Sequence, residues 1–388
     1  MTILRFHRLL PGLAFGGLLL LGTILPAQAL ETTARSAIIV EVATGETLLQ
    51  KDPDTPMAPA SMSKLMTLYM LFDRLKSGAL SLDDKFRVSE NAWRKGGAKS
   101  GSSTMFLEPK MKVRVEDLIR GIIVQSGNDA CIVVAEGLSG SESAFAQEMT
   151  AKAQELEMTN SHFANSTGWP NPEHRMSPRD LATLGQRLIT DFPEFYHYFS
   201  ELEFTYNGIR QSNRNPLLYK EMNADGLKTG HTQDSGYGLV ASAKRQGRRL
   251  IVVVNGLESK KARSAEPERL IEWAFREFAN YAFFKAGAVV EEAETWLGEA
   301  PSVPLVIQQD VHLTLPRKDR RKFDVRVVYT GPVPAPIKKG VAIAKLVIKT
   351  PSKGEIEYPL VAGADVERLG LVGRLMTALQ TILWGESG

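Results

Sequence analysis

The hydrophobic pattern begins with an almost unbroken apolar run, Leu9 to Leu25, behind Arg5, His7 and Arg8 and ahead of Ala27-Gln28-Ala29. A positive start, a short apolar centre and a small-x-small site make a secretory leader. Residues 1–29 are therefore expected to lie outside the fold, and the mature chain to begin near Leu30, outside the cytoplasm. An uncleaved anchor is the competing reading, which the Ala-x-Ala site disfavours. No other stretch is long and apolar enough to span a bilayer.

Further along, Ala37 to Val42 and Thr47 to Leu49 predict a hairpin with its turn at Gly45. Ser61 to Lys76 is apolar on most sides, which predicts a helix deep in the core. Residues 91–104 are rich in Gly, Ser and Lys and predict a loop. Val115 to Leu138 is helical in pattern but interrupted by Ser126-Gly127-Asn128. Glu142 to Leu156 and Pro178 to Thr190 predict two more helices, with Ser166 to Met176 a polar loop between them. Strands are predicted at Tyr237 to Ala243 and Leu250 to Leu257, then a helix from about Pro267 to Tyr281. This order fits an α+β fold, with helices packed on a mainly antiparallel sheet. After Lys285 short runs such as Val311 to Leu315, Val325 to Tyr329 and Ala342 to Ile348 alternate with Gly and Pro, the pattern of a small all-β domain. Last, Val366, Leu369, Val372, Met376, Leu379 and Leu383 recur at helical spacing. An amphipathic helix is expected over Ala364 to Trp384, its apolar arc widened by Leu371, Leu375 and Ile382. The expected domains are thus 30–284, 285–362 and 363–388.

Composition alters this picture little. The 388 residues are 43% hydrophobic and 23% charged, an ordinary globular balance. A net charge of +3 without a long basic run argues against nucleic acid as a partner. The one cysteine, Cys131, precedes Ile132, Val133 and Val134 and reads as a buried structural thiol. Six histidines show no His-x-x-x-His spacing, so no metal and no cofactor is expected. No Gly-x-Ser-x-Gly elbow is present.

Three short motifs carry the chemistry: Ser61-Met62-Ser63-Lys64, Ser126-Gly127-Asn128 and Lys228-Thr229-Gly230. Each alone is weak, and Ser89-Glu90-Asn91 matches the second by chance. Their order, context and spacing together are specific. Positions i and i+3 share a helix face, so the Lys64 amine is within reach of the Ser61 hydroxyl. A serine needs a base to take its proton. Lysine is a base only when neutral, and burial or a second cation such as Lys228 disfavours its charged form. The helix N-terminus also offers Ser61 backbone N–H groups for a developing oxyanion.

These motifs resemble those of active-site serine penicillin-binding proteins and the related β-lactamases. Ala60 to Lys64, Gln125 to Ala130, Asp225 to Thr232, Phe204 to Gln211 and Asn213-Arg214-Asn215 are similar to the low-molecular-mass D-alanyl-D-alanine carboxypeptidases, and the similarity runs through the whole mature chain. The resemblance implies a penicillin-binding/β-lactamase-like domain. It implies catalytic roles for Ser61 as nucleophile, Lys64 as general base and Ser126 as proton relay. It places Asn128, Lys228, Thr229, Gly230 and His231 along the substrate, with the N–H groups of Ser61 and His231 as the oxyanion hole. Arg263 faces the substrate carboxylate, preceded by Ala262 where the family usually has Gly. The implied partners are peptidoglycan stem peptides ending in D-Ala-D-Ala, β-lactam antibiotics and, through the C-terminal helix, the lipid surface of the inner membrane on its periplasmic face. Asp365, Glu367 and Glu386 outnumber Arg368 and Arg374, so burial rather than charge would hold that helix.

Competing functions are a D,D-endopeptidase, a weak β-lactamase and, in another class, a non-catalytic wall-binding scaffold. The loop Ser166 to Met176 holds only Glu173, without the Glu-x-x-x-Asn setting of a β-lactamase. The intact motif set argues against a scaffold.

Overall fold

The computed structural model describes residues 2–5 and 30–376. The leader expected over 1–29 lies mostly outside the described residues, but Thr2–Arg5 pairs with Arg326–Tyr329, against the expectation that all of 1–29 lies outside the fold. The chain divides into two compact units, with the break between Arg276 and Glu277.

In the first unit a five-stranded antiparallel sheet has the order Thr47–Lys51, Ser36–Glu41, Arg248–Leu257, Gly236–Arg245, Ala224–Thr232. Leu250 to Val254 are all fully buried, so helices or loops cover both faces of that strand. The last strand, Ala224–Thr232, is an edge, with one side of its backbone free of sheet partners. Seven helices accompany the sheet among the described residues: α1 Lys64–Lys76, α2 Glu90–Gly96, α3 Val115–Ile123, α4 Asn128–Ser139, α5 Glu142–Glu155, α6 Pro178–Asp191 and α7 Lys260–Glu277. α1 is buried nearly all round, from Lys64 to Phe72, and shares one apolar core with Leu118, Ile122, Val133, Phe145, Leu181 and Val253. Cys131 is buried and free in α4.

Three expectations need correction. Residues 91–104 are not all loop. α2 starts at Glu90, and the Ser89 hydroxyl accepts the Ala92 N–H at 2.9 Å. The chance motif is thus a helix cap. The helix expected over Pro267 to Tyr281 begins earlier and ends earlier, at Lys260–Glu277. Phe278–Phe284 is instead a strand paired with Val311–Pro316, which moves the break between units from 285 to 277.

In the second unit a sheet runs in the order Thr2–Arg5, Asp324–Tyr329, Ala342–Thr350, Gly354–Ala362, Ser302–Ile307, Val289–Trp296, Val333–Pro334. Val303, Leu305 and Ile307 alternate inward along one strand and meet Leu346, Ile348 and Leu360, the period-2 pattern of a half-buried sheet.

The tail is the third correction. Ala364 to Gly370 is not helical. Val366 is buried with this core and bridges Ile337, and Arg368 bridges Gly298. Helix is present from Leu371 to Met376, where Leu371, Val372, Leu375 and Met376 are exposed. The remainder of the expected amphipathic helix, to Trp384, lies outside the described residues.

Candidate active site

Ser61 sits in a 3-10 turn, Ala60–Ser63, that feeds directly into α1. Side chains three apart eclipse in a 3-10 turn, and the Lys64 amine donates to Ser61 Oγ at 2.9 Å. It also donates to the Thr167 carbonyl. Lys64 is fully buried. Burial pulls its pKa down to about 8, aided by the charge of Arg214 and opposed by those of Asp129 and Glu142. Gly168 closes over this turn with φ +78°, and a Cβ there would stand 1.9 Å from the Ala60 carbonyl oxygen. Only glycine fits that approach.

The second motif breaks one helical run into two. Ser126 lies between α3 and α4 with φ +59°, a conformation costly for any residue with a Cβ. The kink is held by Gly127 N–H to the Gly121 carbonyl, 2.9 Å, and Asn128 N–H to the Ser103 carbonyl, 2.8 Å. Behind it, the buried Asp129 carboxylate accepts from Thr104 Oγ1 at 2.6 Å and from the N–H groups of Met105, Leu107 and Ala130. These bonds pin the 103–107 segment beside the motif. Ser126 Oγ and Asn128 Oδ1 are buried without a hydrogen-bond partner in the protein. A fold keeps such groups at a cost of ~1–3 kcal/mol each, which is expected where they serve a ligand.

The third motif lies on the edge strand. Gly230 packs on the turn that carries Ser61: a Cβ there would come within 2.8 Å of the Pro59 carbonyl oxygen and 3.0 Å of Met62. Lys228 is buried and donates to the Thr229 carbonyl at 3.3 Å. Its pKa lies well below the usual lysine range, through burial first and then the charges of Lys64 and Arg214. A charge on Lys64 is thus one cause of the depression at Lys228, and a proton on one amine disfavours a proton on the other. Asp225, paired with Arg249 at 2.7 Å, and Asn215 Nδ2, donating to the Gly226 carbonyl at 2.8 Å, fix the start of the strand. His231 is exposed and stacks on Tyr237, ring centroids 3.9 Å apart. The Arg263 guanidinium, in the first turn of α7, stands 5.4 Å from the same Tyr237 ring. Its Nε is buried without a partner.

Ser61, Asn128 and His231 line one cleft of ≈ 290 Å³ together with residues 101–103 and Thr167 to Pro170. Lys64, Ser126 and Lys228 lie buried beside it. The structure thus brings all three motifs together, and Arg263 beside His231. Sequence reasoning gave no role to Thr167, Asp129 or Arg214, whose guanidinium donates to Ser103 Oγ. Thr167 acts through a backbone carbonyl, which no motif announces, and Asp129 through a buried carboxylate inside the Gln125 to Ala130 stretch, where it was left unassigned. Arg214 stood inside a stretch already singled out, unassigned. Among the described residues no three His, Cys, Asp or Glu side chains gather as metal ligands.

Residues 24–259 match the model of the D-alanyl-D-alanine carboxypeptidase family, Peptidase S11. Residues 278–368 match the C-terminal domain of penicillin-binding protein 5. The chain is 38% identical over 381 residues to the D-alanyl-D-alanine carboxypeptidase DacC of Escherichia coli (strain K12), covering 96% of this chain and 95% of that protein. Among solved structures, penicillin-binding protein 5 from Haemophilus influenzae superposes with a TM-score of 0.78 at 35% identity, over 88% of this chain and 100% of that one. The D-alanyl-D-alanine carboxypeptidase DacD from Francisella tularensis gives 0.79 at 30% identity, over 89% and 97%. A serine with a buried lysine against it, on a fold shared along nearly the whole chain with these enzymes, places the chain in the serine-type D-alanyl-D-alanine carboxypeptidase family, which removes the terminal D-alanine from peptidoglycan stem peptides.

Proposed function

We propose that Ser61 is the nucleophile of this carboxypeptidase and Lys64 its general base. The observation that carries the reading is the 2.9 Å hydrogen bond from the buried Lys64 amine to Ser61 Oγ. Ser61 Oγ attacks the carbonyl of the penultimate D-alanine while its proton passes to neutral Lys64. Ser126 relays a proton to the departing amine, and the terminal D-alanine leaves. Water then attacks the Ser61 ester, again giving its proton to the lysine pair, and the shortened stem peptide is released. Asn128 holds the peptide amide, and the Thr229–His231 backbone receives the substrate as an added strand. The N–H groups of Ser61 and His231 form the oxyanion hole, and Arg263 with Thr229 meets the terminal carboxylate. A β-lactam takes the same path as far as the ester.

Incubation with a labelled penicillin, followed by mass spectrometry, should place the adduct on the peptide containing Ser61. Pentapeptide given to the same protein should lose one D-alanine. Labelling of Ser61→Ala at the unaltered rate would overturn the assignment.

The same reading extends to the rest of the chain. Residues 1–29 serve as an export leader, the catalytic unit follows, and the β-rich unit carries the tail. The tail rests on the lipid surface of the inner membrane, on its periplasmic side. The exposed Leu371, Val372, Leu375 and Met376 support this, as does the apolar spacing that continues to Leu383. Among the described residues no helix is long and apolar enough to cross a membrane.

A further inference from the structure

Trp296 ends the strand Val289–Trp296, and its side chain is 38% exposed. It pairs in parallel with Pro334, on the outermost strand of the β-unit sheet. Residues in register on neighbouring strands point to the same face, and successive residues to opposite faces. Along the chain the alternation is strict: Val333, Ala335 and Ile337 are buried, while Pro332, Pro334 and Pro336 are exposed. The outward face is thus one tryptophan and a row of prolines, with no charge among them.

The backbone of this face narrows what covers it. Proline has no N–H, so positions 332, 334 and 336 offer no donor to a further strand, and the edge resists sheet extension. The Ala335 N–H is bonded to the Trp296 carbonyl and the Ile337 N–H to the Val366 carbonyl, both at 2.9 Å. A protein partner would find little here to hydrogen-bond. A lipid surface penalises unsatisfied donors, and this segment brings few. Tryptophan is also the side chain favoured at headgroup depth.

The tail leaves from the same place. The Leu369 N–H donates to the Leu297 carbonyl at 2.9 Å, and Arg368 bridges Gly298. The helix with exposed Leu371, Val372, Leu375 and Met376 starts directly beyond. An exposed apolar face continuous with that helix calls for the same cover. We propose that Trp296, Pro332, Pro334 and Pro336 form a second lipid contact, which seats this end of the β unit in the headgroup layer beside the tail. The inference rests on the tail reading above and adds to it, since the face is too small to hold the chain by itself.

The test uses the chain from residue 30 to 388 and phosphatidylcholine vesicles whose acyl chains are brominated just below the headgroups. Bromine quenches a tryptophan that enters the bilayer surface. Trp384→Phe removes the tail's own tryptophan, and Trp93, Trp169 and Trp273 belong to the other unit. That chain should lose emission on binding, and the loss should vanish when Trp296→Phe is added. Pro334→Asp should weaken the partition of the otherwise unaltered chain about tenfold, the scale of one apolar side chain at the interface. Should Pro334→Asp fail to fold, the quenching decides alone. A chain that binds while Trp296 keeps its emission overturns the inference and leaves the tail reading standing, whether the face is bare, pairs with a second copy or meets another protein. Unchanged partition of a folded Pro334→Asp does the same. An unaltered chain that ignores the vesicles overturns both.

Discussion

In the proposed role of general base, Lys64 ties the chemistry to pH. Its folded pKa is depressed to about 8 by burial, so the neutral form that acts as base accumulates as pH rises through that value. Acylation, as kcat/KM, should climb roughly tenfold per pH unit below 8 and level off above it, a limb readable with a chromogenic β-lactam. Lys64→Arg keeps a permanent charge, so it should lose the limb and at least ~100-fold in rate. A flat profile in the unaltered enzyme would remove Lys64 from the role. Ser126 makes the opposite trade, holding a strained φ of +59° and an unpartnered hydroxyl. Ser126→Gly should raise stability by about 1 kcal/mol, by relieving both, while acylation falls on the order of 100-fold. A denaturant midpoint that stays put or drops would show that the strain is absent.

Among the elements, those with a strong period were legible and those that depend on a partner were not. α1, α5 and α6 could be read because their apolar spacing is set by the core they face. The stop between α3 and α4 was visible because Ser126, Gly127 and Asn128 in a row are disfavoured inside a helix. α2 was missed because its polar residues conceal a seven-residue helix that rests on one serine cap. Phe278–Phe284 was taken for helix because its strand character comes from Val311–Pro316, far along the chain. The three motifs were legible as letters; their meeting depends on close backbone approaches, which only the fold displays. Gly168 makes the closest of these. Gly168→Ala adds a Cβ 1.9 Å from the Ala60 oxygen at φ +78°. It should push the Ser61 turn aside and cut acylation on the order of 100-fold, the usual cost of a displacement near 1 Å. Acylation within a few fold of normal would mean the loop simply yields.

At the scale of the whole molecule, the proposed catalytic residues and the proposed anchor fall in separate units. The tail was read as one helix from Ala364 because Val366 and Leu369 fit the period, yet Val366 belongs to the β-unit core. A truncation after Gly363 would therefore strip a buried side chain worth ~1.5 kcal/mol or more. A cut after Gly370 leaves it in place. The shorter chain ending at Gly370 should fractionate as soluble and cleave small peptides at the full rate. The intact chain should stay on membranes through high salt, because basic residues are few and burial dominates. Release of the intact chain by mild salt, or retention of the cut one, would refute the anchor.

Residues 366–369 are fastened by four backbone hydrogen bonds of 2.9 Å: two between Val366 and Ile337, Glu299 N–H to the Glu367 carbonyl, and Leu369 N–H to the Leu297 carbonyl. Mechanically this is a clamp. A pull on the tail meets these bonds before it can travel along the chain to residue 277 and the catalytic unit beyond. Bonds that must give together resist more than bonds that open one at a time. A pull on the tail should therefore load this stitch first and be held there, while the geometry around Ser61 stays slack.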